Sequence, residues 1–367
     1  MWGSKNKNIT TTKEDLFRSK RDRVMDKYHK YVWTKWLFIM LSLVLVIVTF
    51  AFAITIGNYP IDFFEVYEII WNHLTGNITD PTKDLIVWTA RLPRVLTAAI
   101  AGAGLAACGA AMQSVMKNPL SDPYLTGMSS GAALGATLGV IAGFTIIGGQ
   151  YAIVMNAFLF SLIPMGIILL ISKMRSTSPT LLILSGVAVM YIFNSITTLL
   201  MLAATPEDSA AVYSFQVGTL SRATWDAIPV MTFFTTIGMI ALMLLSGKIN
   251  IMSLGDESAK TLGVDAEKLR IRTLTIISLT TAGIVSFTGI IGFVGLVCPH
   301  VVRLFLGSDN RYLIPASALF GVFMLLIADI IARTIIAPVI LQVGVVTAFI
   351  GGPLFLYLLI RQRKEVW

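Results

Sequence analysis

The sequence predicts an all-α integral membrane protein with about ten transmembrane helices and both termini in the cytosol. Three observations predict it. Of 367 residues, 56% are hydrophobic and only 13% are charged, about half the charged share of a soluble domain. Apolar runs of about twenty residues, each sufficient for a hydrocarbon layer of about 30 Å, recur along most of the chain, and mean hydropathy is +0.78. The lysines and arginines gather in alternate connections, as the positive-inside rule requires of a correctly counted set of spans.

In chain order, residues 1–35 are polar and basic and read as a cytosolic tail, partly helical or disordered, with anionic lipid as a further contact open to it. No short apolar stretch with a small-residue cleavage site precedes the first span, so the tail is expected in the mature protein. Residues 36–367 form one membrane domain, with spans near 36–57, 92–115, 121–143, 150–171, 180–204, 227–247, 268–288, 290–306, 312–334 and 343–361. The pair around Gly289 requires the apolar stretch from Thr273 onward to fold back once. With the amino terminus inside, the inner side receives the tail, Lys117, Lys173, Arg175, Lys248, Lys260, Lys268, Arg270, Arg272, Arg303, Arg311, Arg361, Arg363 and Lys364. Lys83, Arg91, Arg94, Arg222 and Arg333 remain outside.

Composition also excludes several functions. The net charge of +8 is spread over connections rather than collected in one patch interleaved with aromatics, so nucleic acid is not an expected partner. Cys108 and Cys298 lie in apolar stretches, which indicates neither a disulfide scaffold nor a paired-thiol metal site. His29, His73 and His300 are scattered over the tail, an external segment and a helix end, which argues against a shared metal site. With no phosphate loop, zinc helix or nucleophile elbow, the chain is expected to need no cofactor and not to hydrolyse ATP itself.

Four constellations remain. Gly127, Gly131, Gly135, Gly139 and Gly143 recur every fourth residue, a bare helical face suited to close helix packing or to lining a path. Arg91 and Arg94, in Arg-Leu-Pro-Arg at the outer mouth of the second span, serve either as snorkelling anchors or as contacts for an anion or acidic partner. The second is favoured because outside cations are scarce, and Pro93 suits the first turn of a helix. Asp329 and Arg333, four apart, share a face as an ion pair, and Arg333 can join the other two arginines in one cluster. The segment Leu254-Gly-Asp-Glu-Ser-Ala-Lys-Thr-Leu-Gly263, within 253–264, is too short and polar to cross the membrane and reads as a cytosolic docking helix or a plain connector.

Taken together, Arg91-Leu-Pro-Arg94, Gly109-Ala-Ala-Met-Gln113 with Asn118-Pro-Leu120, the 254–263 segment, Gly292-Phe-Val-Gly-Leu-Val297 with Pro299-His300 and Arg303, and Ala328-Asp-Ile-Ile-Ala-Arg333 resemble the iron-siderophore and cobalamin uptake permeases. The resemblance covers roughly residues 55–361. It implies a permease working as a dimer, most simply of identical subunits, with two separate cytosolic ABC ATPases below and an extracytoplasmic substrate-binding protein above. On that resemblance, Arg91, Arg94 and Arg333 receive acidic residues of the binding protein. Leu254, Gly255, Asp256, Glu257, Ala259, Leu262 and Gly263 fit a cleft on the ATPase. Asn118 and Leu120, with Thr180 or its neighbours Thr177 and Ser178, form a cytosolic gate. The implied cargo is an iron complex, a ferric siderophore or haem, with cobalamin as the alternative.

Two departures from the family pattern stand out. The family's Pro-x-Glu-Leu-Pro-Val-Gly is here Pro338-Val-Ile340-Leu-Gln342-Val-Gly344, which lacks an acid and a proline at the outer rim. Its Asp-His-Arg is Asp309-Asn310-Arg311, a change expected to affect an inner-loop hydrogen bond only. An ion-coupled secondary transporter is the rival reading, and it would want intramembrane acids, of which Asp329 is the evident one. An intramembrane enzyme is disfavoured because no paired catalytic groups assemble from these spans.

Overall fold

The computed structural model describes residues 13–174 and 178–361. It is built from helices and short connections. Helix α1 (Lys13–Thr55) is 43 residues long, about 64 Å at the α-helical rise and twice the hydrocarbon thickness. It runs without interruption from the basic segment into the first span. Exposed Tyr31, Trp33 and Trp36 ring it where the apolar stretch begins, the position of an interfacial aromatic belt. Lys35, counted with the tail, is buried, its ammonium 4.0 Å from the Tyr31 ring centre, 4.6 Å from that of Tyr312 and 3.9 Å from Asp309.

An amphipathic helix, α2 (Phe63–Thr75), follows. Its start is a capping box: Asp62 accepts from the Phe64 amide at 3.1 Å and Glu65 from the Asp62 amide at 3.3 Å. Helix α3 (Pro81–Asp84), a π-helical stretch (Leu85–Arg91) and α4 (Leu92–Met116) form one continuous rod. The second span therefore begins earlier than expected, and Pro93 does not open it. The π-helical stretch shifts the register, with the Leu92 amide bonded to Val87 five residues back, immediately before Pro93, which has no amide to offer.

Helix α4 is the centre of the molecule because its small residues let neighbours touch its backbone. A Cβ at Gly102 would stand 2.4 Å from the Gly321 carbonyl oxygen, and one at Gly109 only 1.8 Å from that of Gly295. After α4 the chain turns back into the protein. Lys117 takes the left-handed conformation, the Asn118 side chain accepts from the Leu120 amide at 2.9 Å, and Asp122 caps a 3-10 turn, Pro123–Thr126. The Tyr124 hydroxyl reaches the Ile291 carbonyl at 3.2 Å. Pro123 and the Leu105 carbonyl both crowd Gly295. This puts Asp122 level with Leu105, about 16 Å along α4 from its inner end.

The expected span 121–143 is accordingly a re-entrant segment plus a short helix, α5 (Met128–Val140). The next helices are α6 (Ala152–Met174), α7 (Pro179–Leu202), α8 (Pro206–Val217) and α9 (Ala227–Met252). Then come α10 (Asp256–Thr261), α11 (Ala266–Thr288), α12 (Val294–Leu306), α13 (Asn310–Thr334) and α14 (Val343–Arg361). The glycine stripe of α5 lies against α6: a Cβ at Gly131 or Gly135 would come within 2.4 Å of the carbonyls of Phe160 or Asn156. Gly127 (φ 82°) and Gly143 (φ 63°) fall outside α5, the first against Gly186 and the second against nothing, so the expected five-glycine face is shorter and close packing is the use of its central part.

The fold-back near Gly289 is real and tightly stitched. Gly289 has φ 68° and its Cβ would meet the Phe215 carbonyl at 2.3 Å, so a side chain is excluded by both conformation and space. The Thr219 amide bonds Thr288 at 2.8 Å and the Ile290 amide bonds Phe215 at 3.0 Å. Among the described residues, 7 helices are long and apolar enough to cross a membrane. Three shorter apolar helices at Met128–Val140, Val294–Leu306 and Val343–Tyr357 fill the remaining positions of the expected ten.

Candidate functional site at the two membrane faces

Arg91 and Arg333 converge on the end of α1, and Arg94 joins Arg333 on Asp329. The last turn of a helix leaves carbonyls without amide partners and carries the negative end of the helix dipole. Arg91 donates to Thr55 at 2.6 Å, to Ile54 at 3.3 Å and to Tyr59, while Arg333 donates to Ala53 at 2.9 Å and to Ile56. Arg94 and Arg333 flank the fully buried Asp329, with N–O separations of 2.7 and 3.0 Å. Arg94 also donates to Ser221 at 3.2 Å.

Two cations thus flank one anion, and a third, Arg91, holds the carbonyls at the end of α1. Contrary to the expectation of cations held outward, residue exposures are 5% for Arg91, 6% for Arg94 and 4% for Arg333. The helix end and the carboxylate offer them more than water does. They nevertheless line a cavity of about 380 Å³ together with Asn58, Tyr59 and Ile340. Ile340 is 44% exposed there, an apolar side chain where the family pattern has an acid.

At the opposite face, α10 is pinned by Asp256, which accepts from Lys117 at 2.7 Å and is paired with Arg270 at 2.9 Å. Burial pushes the Asp256 carboxyl up, but the hydrogen bonds and charges of Lys117 and Arg270 outweigh it, and the net shift is downward. Ala259 anchors the helix in an apolar cluster with Val115, Ile249, Met252, Val264 and Leu269. Gly255 (φ 117°) and Gly263 (φ 79°) make the turns at either end. Leu254 and Leu262 are 67% and 58% exposed, two apolar side chains flanking the exposed Glu257.

Of the gate residues, Asn118 shapes the re-entrant turn and Leu120 is 44% exposed beside it. Thr180 is exposed in the first turn of α7, whose cap is Ser178, accepting from the Leu181 amide at 3.2 Å. Thr177 lies outside the described residues. Contact between α7 and the re-entrant segment is made further along, where Gly186 meets Leu125 and Thr126.

Two residues were misjudged from sequence. Asn310 is no mere loop contact: fully buried, it accepts from Ser114 of α4 at 2.8 Å and donates to Asn250 of α9 at 2.8 Å. It joins three helices because an amide can donate and accept at once. Asp122 is a second acid at membrane depth beside Asp329. It was hidden inside an apolar span, although an Asp followed by Pro is a recognisable turn-initiating cap.

These features have close relatives. The model of the FecCD transport family matches residues 45–361. The chain is 39% identical over 352 residues to an ABC transporter permease protein, MJ0087, of Methanocaldococcus jannaschii, covering 94% of this chain and 99% of that one. It is 40% identical over 286 residues to the cobalamin import system permease protein BtuC of Halobacterium salinarum, covering 77% and 75%. A metal-chelate type ABC transporter solved in an inward-facing conformation superposes with a TM-score of 0.78 at 28% identity, covering 88% of this chain and 99% of that one. A central α4 buried by glycine contacts, a re-entrant segment beside it and a family match over most of the length lead to one conclusion: the chain belongs to the FecCD transport family of ABC importer permeases, multi-pass proteins of the cell membrane.

Proposed function

We propose that this chain is the permease subunit through which an iron complex, a ferric siderophore or haem, enters the cytosol. Two such subunits, most simply identical, enclose the path. Two cytosolic ATPases drive it, and an extracytoplasmic binding protein delivers the cargo. The carrying observation is the pairing of features at opposite faces: an arginine-lined outer cavity and an inner helix presenting Leu254 and Leu262. An acidic partner suits the first and an apolar cleft the second. On this reading Arg91, Arg94 and Arg333 receive the binding protein, residues 254–263 engage the ATPase, and Asn118, Leu120 and Thr180 gate the inner end. Domain organisation follows the same reading, with residues 1–35 as a cytosolic extension of the 36–367 permease domain and both termini inside.

Cobalamin is the second reading, favoured by the 40% identity to a permease so named. The test is reconstitution of the chain with candidate ATPases and binding protein, followed by uptake of radiolabelled ferric siderophore, haem and cobalamin in parallel. ATP-dependent accumulation of an iron complex supports the first reading, and of cobalamin alone the second. Accumulation of none by a fully assembled complex refutes both.

A further inference from the structure

Helix α2 has three faces of different character. Val66, Ile69 and His73 fall on one side of it, at about 100° per residue, and pack on the protein. Val66 and Ile69 are buried, while His73 bonds Asp84 at 2.8 Å and stacks on Trp88 with ring centres 3.9 Å apart. Glu65, Glu68 and Asn72 lie within about 60° of one another on a polar face, where Glu65 is paired with Lys83. The third arc, about 120° wide, carries Phe63, Phe64, Tyr67, Ile70, Trp71 and Leu74. Of these, Phe64, Trp71 and Leu74 are 78%, 67% and 66% exposed, so the described residues leave this apolar face open.

The position of the open face points to what covers it. The Tyr67 hydroxyl donates to the Ala51 carbonyl of α1 at 2.9 Å, and the Phe63 ring centre stands 5.3 Å from that of Phe52. Ala51 lies four residues inside the end of the apolar span Tyr31–Thr55, about 6 Å along the helix. Val44, Val48 and Phe52, exposed at four-residue intervals, form the unpacked side of that span, and the open face of α2 continues it. We infer that α2 lies in the surface of the lipid bilayer, with Phe64, Trp71 and Leu74 in the head-group and upper acyl layer and Glu68 turned to water. Aromatic side chains suit that layer, and an amphipathic helix enters it to a depth of about 5–10 Å, the level that Ala51 marks. Helix α2 contains no lysine or arginine, so its attachment is apolar and needs no anionic lipid.

The test is spin-label accessibility in the full chain, reconstituted in nanodiscs of phosphatidylcholine. Single labels are placed through Trp71→Cys, Leu74→Cys and Glu68→Cys, with Phe64→Cys as a further apolar position if one of these fails to fold. Cys108 and Cys298 are buried, and the natural chain taken through the same labelling supplies the background. Oxygen concentrates in hydrocarbon and a nickel chelate in water, so the ratio of their collision rates with the label reads its depth. The expected ratio is about threefold or more higher at positions 71 and 74 than at 68, and unchanged when phosphatidylglycerol replaces a third of the lipid. Equal, low ratios at all three positions put the face in water and overturn the inference, as does a high ratio that appears only with phosphatidylglycerol. Low ratios at 71 and 74 with spin–spin coupling between two copies would give the face to a second chain. Low ratios with immobilisation of both labels on adding the candidate binding protein would give it to that partner, and either result overturns the lipid contact.

Discussion

The two faces of the molecule use the same chemistry, a carboxylate between two cations, at opposite degrees of burial. Asp329 sits between Arg94 and Arg333 with its side chain at 0% exposure, while Asp256 sits between Lys117 and Arg270 at 43%. Burial decides what each can do. At the outer face the charges are out of water, so removing one strands the others. The cluster holds α1 against α4 and α13 whatever else binds it. At the other face Asp256 is partly in water while Arg270 is 1% exposed, so salt screens the Lys117 side far more than the Arg270 side, and α10 is held less firmly than the buried cluster.

Breaking the outer carboxylate should have the largest effect. Asp329→Ala leaves Arg94 and Arg333 without their shared partner and is expected to destabilise the protein by about 3–5 kcal/mol, read by denaturation of the purified chain in detergent. Next comes the buried hub, which tests whether the inner end owes its order to burial rather than to charge. Asn310→Ala removes the two buried side-chain hydrogen bonds to Ser114 and Asn250, which keep Ala110, Asp309 and the residue 310 amide as partners, and is expected to cost about 1–3 kcal/mol, with a salt-independent loss. Asp256→Ala is expected to cost about 1–2 kcal/mol, because it takes a hydrogen-bond partner from the buried Arg270, and only the share owed to Lys117 is lost in high salt.

The same comparison has a pH arm. The Asp256 carboxyl is held below its usual value of 3.8. Its contribution is therefore fully present above that value and lost as pH falls through the lowered one. A melting series from pH 7 down to about pH 2 should show an acid loss that is smaller in Asp256→Asn, the remainder coming from carboxylates such as Glu65 and Asp265 that are also held low. Smallest in stability is Leu262→Asp, expected to leave melting unchanged because the side chain is already in water, yet to reduce ATPase capture and uptake more than tenfold. Unchanged capture would leave α10 a connector.

Much of the fold was legible because hydropathy and the sorting of basic residues report the same quantity, which parts of the chain lie in hydrocarbon. What escaped has physical reasons. The π-helical stretch before Pro93 changes register without changing composition. Residues 121–127 are absorbed into the expected span 121–143 because the small, apolar run from Met128 onward follows them, yet they can be non-helical at that depth because protein, not lipid, surrounds them. Asn310 gave no sign that its partners would come from two other helices, since long-range contacts leave no local pattern. The arginines were legible as a cluster, but their burial was not, because it depends on the open carbonyls of α1, a feature of tertiary placement.

The central claim is that the energy for movement comes from separate ATPases, not from ions passing Asp122 or Asp329. The most direct measurement is chelate uptake in proteoliposomes holding the complete assembly, with ATP supplied and all ion gradients collapsed by ionophores. The account predicts undiminished accumulation that stops when ATP is removed. Accumulation that ignores ATP but disappears with the gradients would contradict it and establish the ion-coupled rival.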